Sequence, residues 1–104
     1  MKYTFLLALF CCCLCSAAQK SSSYTRLPAL FSEWRSFEQP PLMQGVPDYT
    51  TGAFASRRPR FEQLRKQLLQ LDTSGWTIAQ QNDWMIVWAE MNGYDFNERV
   101  LQPW

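Results

Sequence analysis

The sequence predicts an all-α fold with about three helices, and three observations support this fold class. Apolar residues recur at helical spacing in three stretches, at residues 27–38, 52–71 and 77–92. Turn-forming residues separate these stretches, so each connection is short or stopped by proline. The third stretch also carries residues typical of a helix start and a helix end. We therefore expect three helices around one shared core, followed by an irregular C-terminal piece at residues 94–104.

The first predicted helix covers residues 27–38. Pro28 is tolerated in a first turn, and Pro40-Pro41 ends the helix. Five apolar residues lie along it at helical spacing: Leu27, Leu30, Phe31, Trp34 and Phe37.

The connection at residues 39–48 contains three prolines and Gly45, a composition that favours irregular, turning backbone. We expect Leu42, Met43 and Val46 to pin this connection onto the helices.

The second predicted helix covers residues 52–71, with Thr50 or Thr51 as its cap. Pro59 is a difficulty because an internal proline costs about 3 kcal/mol. We expect either a kink there or a new helix start capped by Ser56. One face of this helix is apolar: Phe54, Phe61, Leu64, Leu68 and Leu71.

The third predicted helix covers residues 77–92. Thr77 and Gln80 fit a capping box, and Asn92-Gly93 supplies residues that commonly close a helix. A turn at residues 72–75 is short enough to fold this helix back antiparallel onto the second one. Ile86, Val87 and Ala89 widen its apolar stripe beyond that of a surface helix, which indicates a buried helix. In a fragment, the part of this helix that faces the missing remainder should be exposed as an apolar patch. We expect one set of side chains to form the shared core: Trp34, Phe61, Leu64, Leu68, Trp84, Trp88 and Met91.

The N-terminal residues resemble an export signal. A basic start is followed by the apolar run Tyr3 to Cys15 and by the small residues Ser16-Ala17-Ala18. We predict a signal peptide at residues 1–18, with cleavage after Ala18, because this run is shorter than a bilayer-spanning helix. The product would be exported, periplasmic or extracellular, without stable membrane insertion. Residues 19–26 are a polar lead-in that we expect to be disordered, and residues 27–104 form the helical fragment of a larger domain.

Composition excludes several kinds of chemistry. The chain has no histidine, and all four of its cysteines lie within residues 11–15 of the predicted signal. Histidine acid/base catalysis, Cys-His nucleophiles and the usual zinc ligand sets are therefore excluded for residues 19–104. Beyond Lys2, basic and acidic residues are equal in number, so no net charge attracts nucleic acid. We predict no catalytic, cofactor-binding or metal-binding residue and no cofactor.

A few residues remain as weaker candidates. Asp83 and Glu90 share a helical face and could hold a proton or a hard cation, although pairing with arginines is the more common role. Arg57, Arg58 and Arg60 could bind phosphate or a sulfated glycan, although a charged run is usually a solvated face. We expect these arginines, with Arg65, to lie near the two carboxylates. Tryptophans could also stack on sugars. Trp84 and Trp88 lie within an apolar helix and are more typical of core residues than Trp34 and Trp104 are.

Three motifs carry a family resemblance: GVPDYT at residues 45–50, LDTSGW at residues 71–76, and QQNDWMIVWAEMNGYDFNERVLQPW at residues 80–104. With these motifs, residues 27–104 resemble the N-terminal part of a family of large exported bacterial proteins of unknown function. Members of that family are often described as related to zinc metallopeptidases of the thermolysin-like clan. Trp84 departs from the tyrosine that the family prefers.

The resemblance implies a chain that continues for several hundred residues past Trp104, with its His-Glu metal motif far downstream. It transfers no catalytic residue to this sequence. A chain ending on Pro103-Trp104 also suggests truncation to us, in which case the remainder of the parent chain is the expected partner, together with self-association through exposed apolar surface. The alternative is a complete small helical binding module of the cell envelope.

Overall fold

The computed structural model describes residues 23–104, which are mostly helical and confirm the all-α prediction. The predicted signal peptide and residues 19–22 lie outside these described residues. Three α-helices are joined by a small hairpin and a short turn. In chain order the elements are a 3₁₀ turn Ser23–Thr25, α1 Arg26–Glu38, β1 Leu42–Met43, β2 Val46–Pro47, α2 Thr51–Leu69, α3 Ile78–Phe96 and a π-helical turn Asn97–Leu101.

Within the lead-in at residues 19–26, residues 23–25 form a 3₁₀ turn and Arg26 begins α1. The Trp76 indole Nε1 donates a hydrogen bond to the Ser23 hydroxyl at 3.1 Å. The rings of Tyr24 and Trp76 meet edge to face with centroids 5.3 Å apart. Because Trp76 is buried after α2, these contacts hold the start of α1 against the end of α2.

The connection at residues 39–48 is extended and turning, as predicted, but residues 42–47 form a small β-hairpin, a regular structure that we did not expect. Leu42 pairs with Pro47 and Met43 with Val46, in antiparallel register. Gln44 and Gly45 between the strands both have positive φ, which gives a two-residue turn whose twist suits a hairpin. The predicted pinning to the helices is also wrong, because Leu42, Met43 and Val46 are exposed.

Helix α2 is continuous from Thr51 to Leu69, so Pro59 does not start a new helix. The Thr50 hydroxyl caps it by accepting a hydrogen bond from the Ala53 amide at 3.3 Å. Phe54 before the proline and Phe61 after it are both buried on one face. Burial of the same face on both sides of Pro59 favours one helix over two despite the lost backbone hydrogen bond.

Helix α3 begins as predicted but does not end as predicted. Thr77 and Gln80 form the capping box, with hydrogen bonds of 3.0 and 3.2 Å. The helix then passes through Gly93 to Phe96 and leads into the π-helical turn, which closes where the Gln102 amide donates to the Asn97 carbonyl at 2.9 Å. Contacts of residues 94 and 95 with α2 outweigh the roughly 1 kcal/mol that an internal glycine costs.

The core lies between the three helices and is rich in aromatic residues. Helix α3 runs antiparallel to α2, since Trp84 meets Leu68 near one end while Asp95 meets Arg58 near the other. The buried apolar core comprises Leu27, Leu30, Trp34, Phe61, Leu64, Leu68, Trp76, Val87 and Met91.

The prediction that Trp88 belongs to this core is wrong, and Trp84 is only half-buried. The residues that α3 buries are Val87, Met91 and Asp95, a stripe rotated away from the two tryptophans. Trp84 lies at the edge, where its indole Nε1 donates to the Leu68 carbonyl at 3.0 Å. The Trp84 and Trp88 rings stack on each other 6.3 Å apart. At this edge the indole N–H reaches a backbone acceptor while the ring stays half-buried.

Candidate interaction surface

A buried carboxylate, Asp95, joins α2 to α3. It is 4% exposed. Its Oδ1 accepts a hydrogen bond from Arg58 at 2.8 Å, and its Oδ2 accepts one from Arg99 at 2.9 Å. Arg65 lies 3.5 Å from the same carboxylate. Burial alone would raise the pKa of Asp95, but the hydrogen bonds from Arg99 and Arg58 hold it below its ordinary value.

The charges around Asp95 are matched. Arg58 also contacts Glu62 and Glu98, so the cluster holds three carboxylates and three guanidinium groups. Burial alone would lower the pKa of Arg58, but its hydrogen bonds and ion pairs with Asp95 and Glu62 raise it above its ordinary value. Each of the six charged groups therefore has a partner of opposite charge within the cluster.

The two candidate carboxylates of α3 do not form one site. Asp83 accepts a hydrogen bond from the Tyr24 hydroxyl at 2.7 Å. Glu90 accepts one from the Trp34 indole Nε1 at 2.9 Å and lies 3.8 Å from Arg35. The two carboxylates therefore have separate partners, both from residues 24–35.

The candidate arginines also lie elsewhere than expected. None of the ion pairs within residues 23–104 joins Arg57, Arg58, Arg60 or Arg65 to Asp83 or Glu90. Arg60 pairs with Glu33 at 2.6 Å. Arg57 donates to the Phe37 carbonyl, and its guanidinium lies 4.5 Å from the centre of the Phe37 ring. These arginines therefore contact α1 and the end of α3, whereas Asp83 contacts the turn before α1 and Glu90 contacts α1 itself.

Of the tryptophans considered for sugar stacking, Trp34 is fully buried, while Trp88 and Trp104 are exposed. The Trp104 ring packs against Phe54, with centroids 5.1 Å apart. Within residues 23–104 no three His, Cys, Asp or Glu side chains are grouped as a metal site would require. The same residues include no helix with the length and apolar character needed to span a bilayer.

The most distinctive surface lies on α3, opposite its buried stripe. Its residues are exposed and recur every three or four positions, so they line one side of the helix. We call this side the outer face of α3: Ile78, Asn82, Met85, Ile86, Ala89, Gly93 and Phe96.

The outer face contains no charged residue. Its four large apolar residues, Ile78, Met85, Ile86 and Phe96, are each more than half exposed. The charged residues of α3, Asp83, Glu90 and Asp95, all lie on the remaining part of the circumference. A helix that is apolar on two opposite sides is typical of one buried on both sides, yet residues 23–104 cover only one side of α3.

A groove between α1 and α3 borders the outer face. It has a volume of about 310 Å³ and is lined by Leu27, Pro28 and Phe31 from α1 and by Ile86 and Val87 from α3. Tyr24 and Asp83 are its polar lining residues. Ile86 belongs to both the groove and the outer face, so the two form one continuous apolar surface.

Comparison with known proteins found no matching family model, no matching curated protein and no matching solved structure. The family resemblance and the predicted export stay predictions.

Proposed function

We propose that this chain is the N-terminal helical segment of an exported, metallopeptidase-like protein, and that it docks onto the remainder of that protein without carrying catalytic residues. The observation that carries the proposal is the outer face of α3. Apolar and free of charge along its length, it has the character of an interface rather than of a solvated helix surface.

The energetics favour a protein partner for this face. Fully burying an aliphatic or aromatic side chain contributes about 1.5–3 kcal/mol, and four such side chains lie along the outer face. Ala89 and Gly93 between them are small and would allow a second backbone to approach closely. An α-helix laid along α3 could therefore bury these side chains without burying a charged residue of the outer face.

The resemblance to the exported family supports the remainder of the same polypeptide as the partner. In that family the N-terminal part is followed by several hundred further residues. A segment of those residues would be tethered close to α3, which raises its effective concentration at the outer face.

The experiment begins with the gene beyond the codon for Trp104. We expect an open reading frame that continues to a distant His-Glu motif. Hydrogen exchange would then be compared between the full product and residues 19–104 alone, with α3 more protected in the full product. A stop codon directly after Trp104, together with a monodisperse product, would contradict the proposal and favour the complete binding module of the cell envelope.

A further inference from the structure

The groove between α1 and α3 is lined by one carboxylate, Asp83, which has no cationic partner among residues 23–104. Asp83 Oδ2 accepts the Tyr24 hydroxyl at 2.7 Å. Among residues 23–104, no basic side chain forms an ion pair with Asp83. Asp83 differs in this respect from the nearby Glu90, which has Arg35 within 3.8 Å.

We propose that the segment covering the outer face of α3 is an amphipathic helix with a lysine or arginine on the flank that faces α1. The alkyl part of this side chain lies in the groove, and its charged end pairs with Asp83. This inference rests on the proposed function, because it specifies the chemistry of the docking segment.

The shape and polarity of the groove match such a side chain. Its floor is formed by apolar residues, among them Leu27, Pro28 and Val87, which suit the methylene groups of lysine or arginine. The Tyr24 hydroxyl donates to Asp83 Oδ2, so Oδ1 remains available to a cation. A neutral or acidic segment would instead cover this carboxylate without pairing it, which costs desolvation free energy.

Charge also argues against a second copy of this chain as the occupant. Helix α3 and its extension have no basic residue between Ile78 and Glu98. A second α3 would therefore place further carboxylates beside Asp83.

Site-specific photo-cross-linking tests the inference on the full gene product in the organism that encodes it. A photoreactive residue at position 85 reports on the outer face, and one at position 66, exposed on α2, is the control. Mass spectrometry should map the position 85 cross-link to a segment of the same chain in which a lysine or arginine flanks apolar residues at helical spacing.

Substitution of Asp83 then separates the two proposals. We expect Asp83→Lys to lower the equilibrium constant for docking about tenfold, as loss of about 1.4 kcal/mol would. The position 85 cross-link yield should then fall about fivefold when the purified full product is irradiated in urea that leaves half of the native chains docked. Asp83→Glu should keep most of the yield, and circular dichroism should show unchanged helix content in both variants. An undiminished yield with Asp83→Lys would overturn the inference and leave the proposed function intact. A position 85 yield no higher than at position 66, or a cross-link to a second copy or another protein, would overturn both.

Discussion

Arg58 on α2 donates a hydrogen bond to Asp95 on α3 at 2.8 Å, and this contact joins the first half of α2 to the end of α3. Arg65, seven residues along α2, lies 3.5 Å from the same carboxylate. Asp95 follows Gly93, the residue at which the sequence favours an end to the helix. The ion pairs therefore stabilise α3 beyond its local stop signal.

Replacing Asp95 should destabilise the protein strongly. Asp95→Asn keeps the side-chain volume but removes the charge that Arg58, Arg65 and Arg99 share. Because the carboxylate is buried while the arginines are partly exposed, we expect a loss of about 2–3 kcal/mol in the free energy of unfolding. Urea denaturation measures it. Glu33→Gln, which breaks the exposed Arg60 pair, is the matched control and should cost less than about 0.5 kcal/mol.

The contribution of Asp95 to the free energy of unfolding should decrease as the pH falls. Its pKa in the folded protein is lowered, while an unfolded aspartate titrates at about 3.9. The stabilisation is therefore complete above about pH 5 and is lost as the pH falls through the folded pKa. The difference in unfolding free energy between the native chain and Asp95→Asn should be equal at pH 5 and pH 7 and smaller near pH 3. A difference that grows on acidification would contradict this assignment.

Met91 and Trp88, which the sequence predicts to share the core, should contribute differently to the stability of the protein. Met91 is 1% exposed and Trp88 is 37% exposed. Met91→Ala should cost about 2–5 kcal/mol, as expected for a cavity in a core. Trp88→Ala should cost about 1 kcal/mol, because its ring is partly solvated and stacks mainly on Trp84. Thermal denaturation of both variants measures these two losses of stability. A loss for Trp88→Ala equal to or larger than that for Met91→Ala would contradict the structure.

The sequence predicts the helices well because local signals act within each of them. The Thr77 capping box and the apolar face of α2 are periodic or short-range features, and both are confirmed. The end of α3 depends instead on Asp95 meeting Arg58, thirty-seven residues away, and no local pattern contains that contact. The sequence also does not predict which side of α3 faces the core. Apolar residues surround most of the helix, so periodicity alone does not select the buried side.

The interaction surface was predicted only in part. An exposed apolar patch on the third helix was expected, and the structure locates it on the outer face. Asp95 was missed, although its spacing carried a signal: it lies four residues after Met91 and eight after Val87, and an acidic residue within an apolar stripe calls for a buried partner. The pairing of Asp83 with Tyr24 could not be predicted, because it depends on how α1 crosses α3.

The Tyr94 hydroxyl offers a route to higher stability. It is buried and has no hydrogen-bond partner among residues 23–104, and burial raises its pKa. The Tyr94 ring packs 4.9 Å from Phe61 and 5.7 Å from Trp34, contacts that phenylalanine retains. We expect Tyr94→Phe to raise the free energy of unfolding by about 1 kcal/mol, because an unsatisfied hydroxyl no longer has to be desolvated. Tyr24→Phe is the control and should not stabilise, since that hydroxyl already donates to Asp83.

Without the segment that we propose to cover it, the outer face of α3 should make residues 19–104 self-associate. Large apolar side chains in contact with water favour association, and no charge on this face opposes it. Analytical ultracentrifugation should show an average mass that rises with concentration. Met85→Glu places a charge in the middle of the face and should shift the chain towards monomer. Met43→Glu makes the same change at an equally exposed methionine of the hairpin and should leave the association unchanged. A native chain that stays monomeric and unfolds in a sharp, concentration-independent transition would show that the outer face is stable in water and needs no partner.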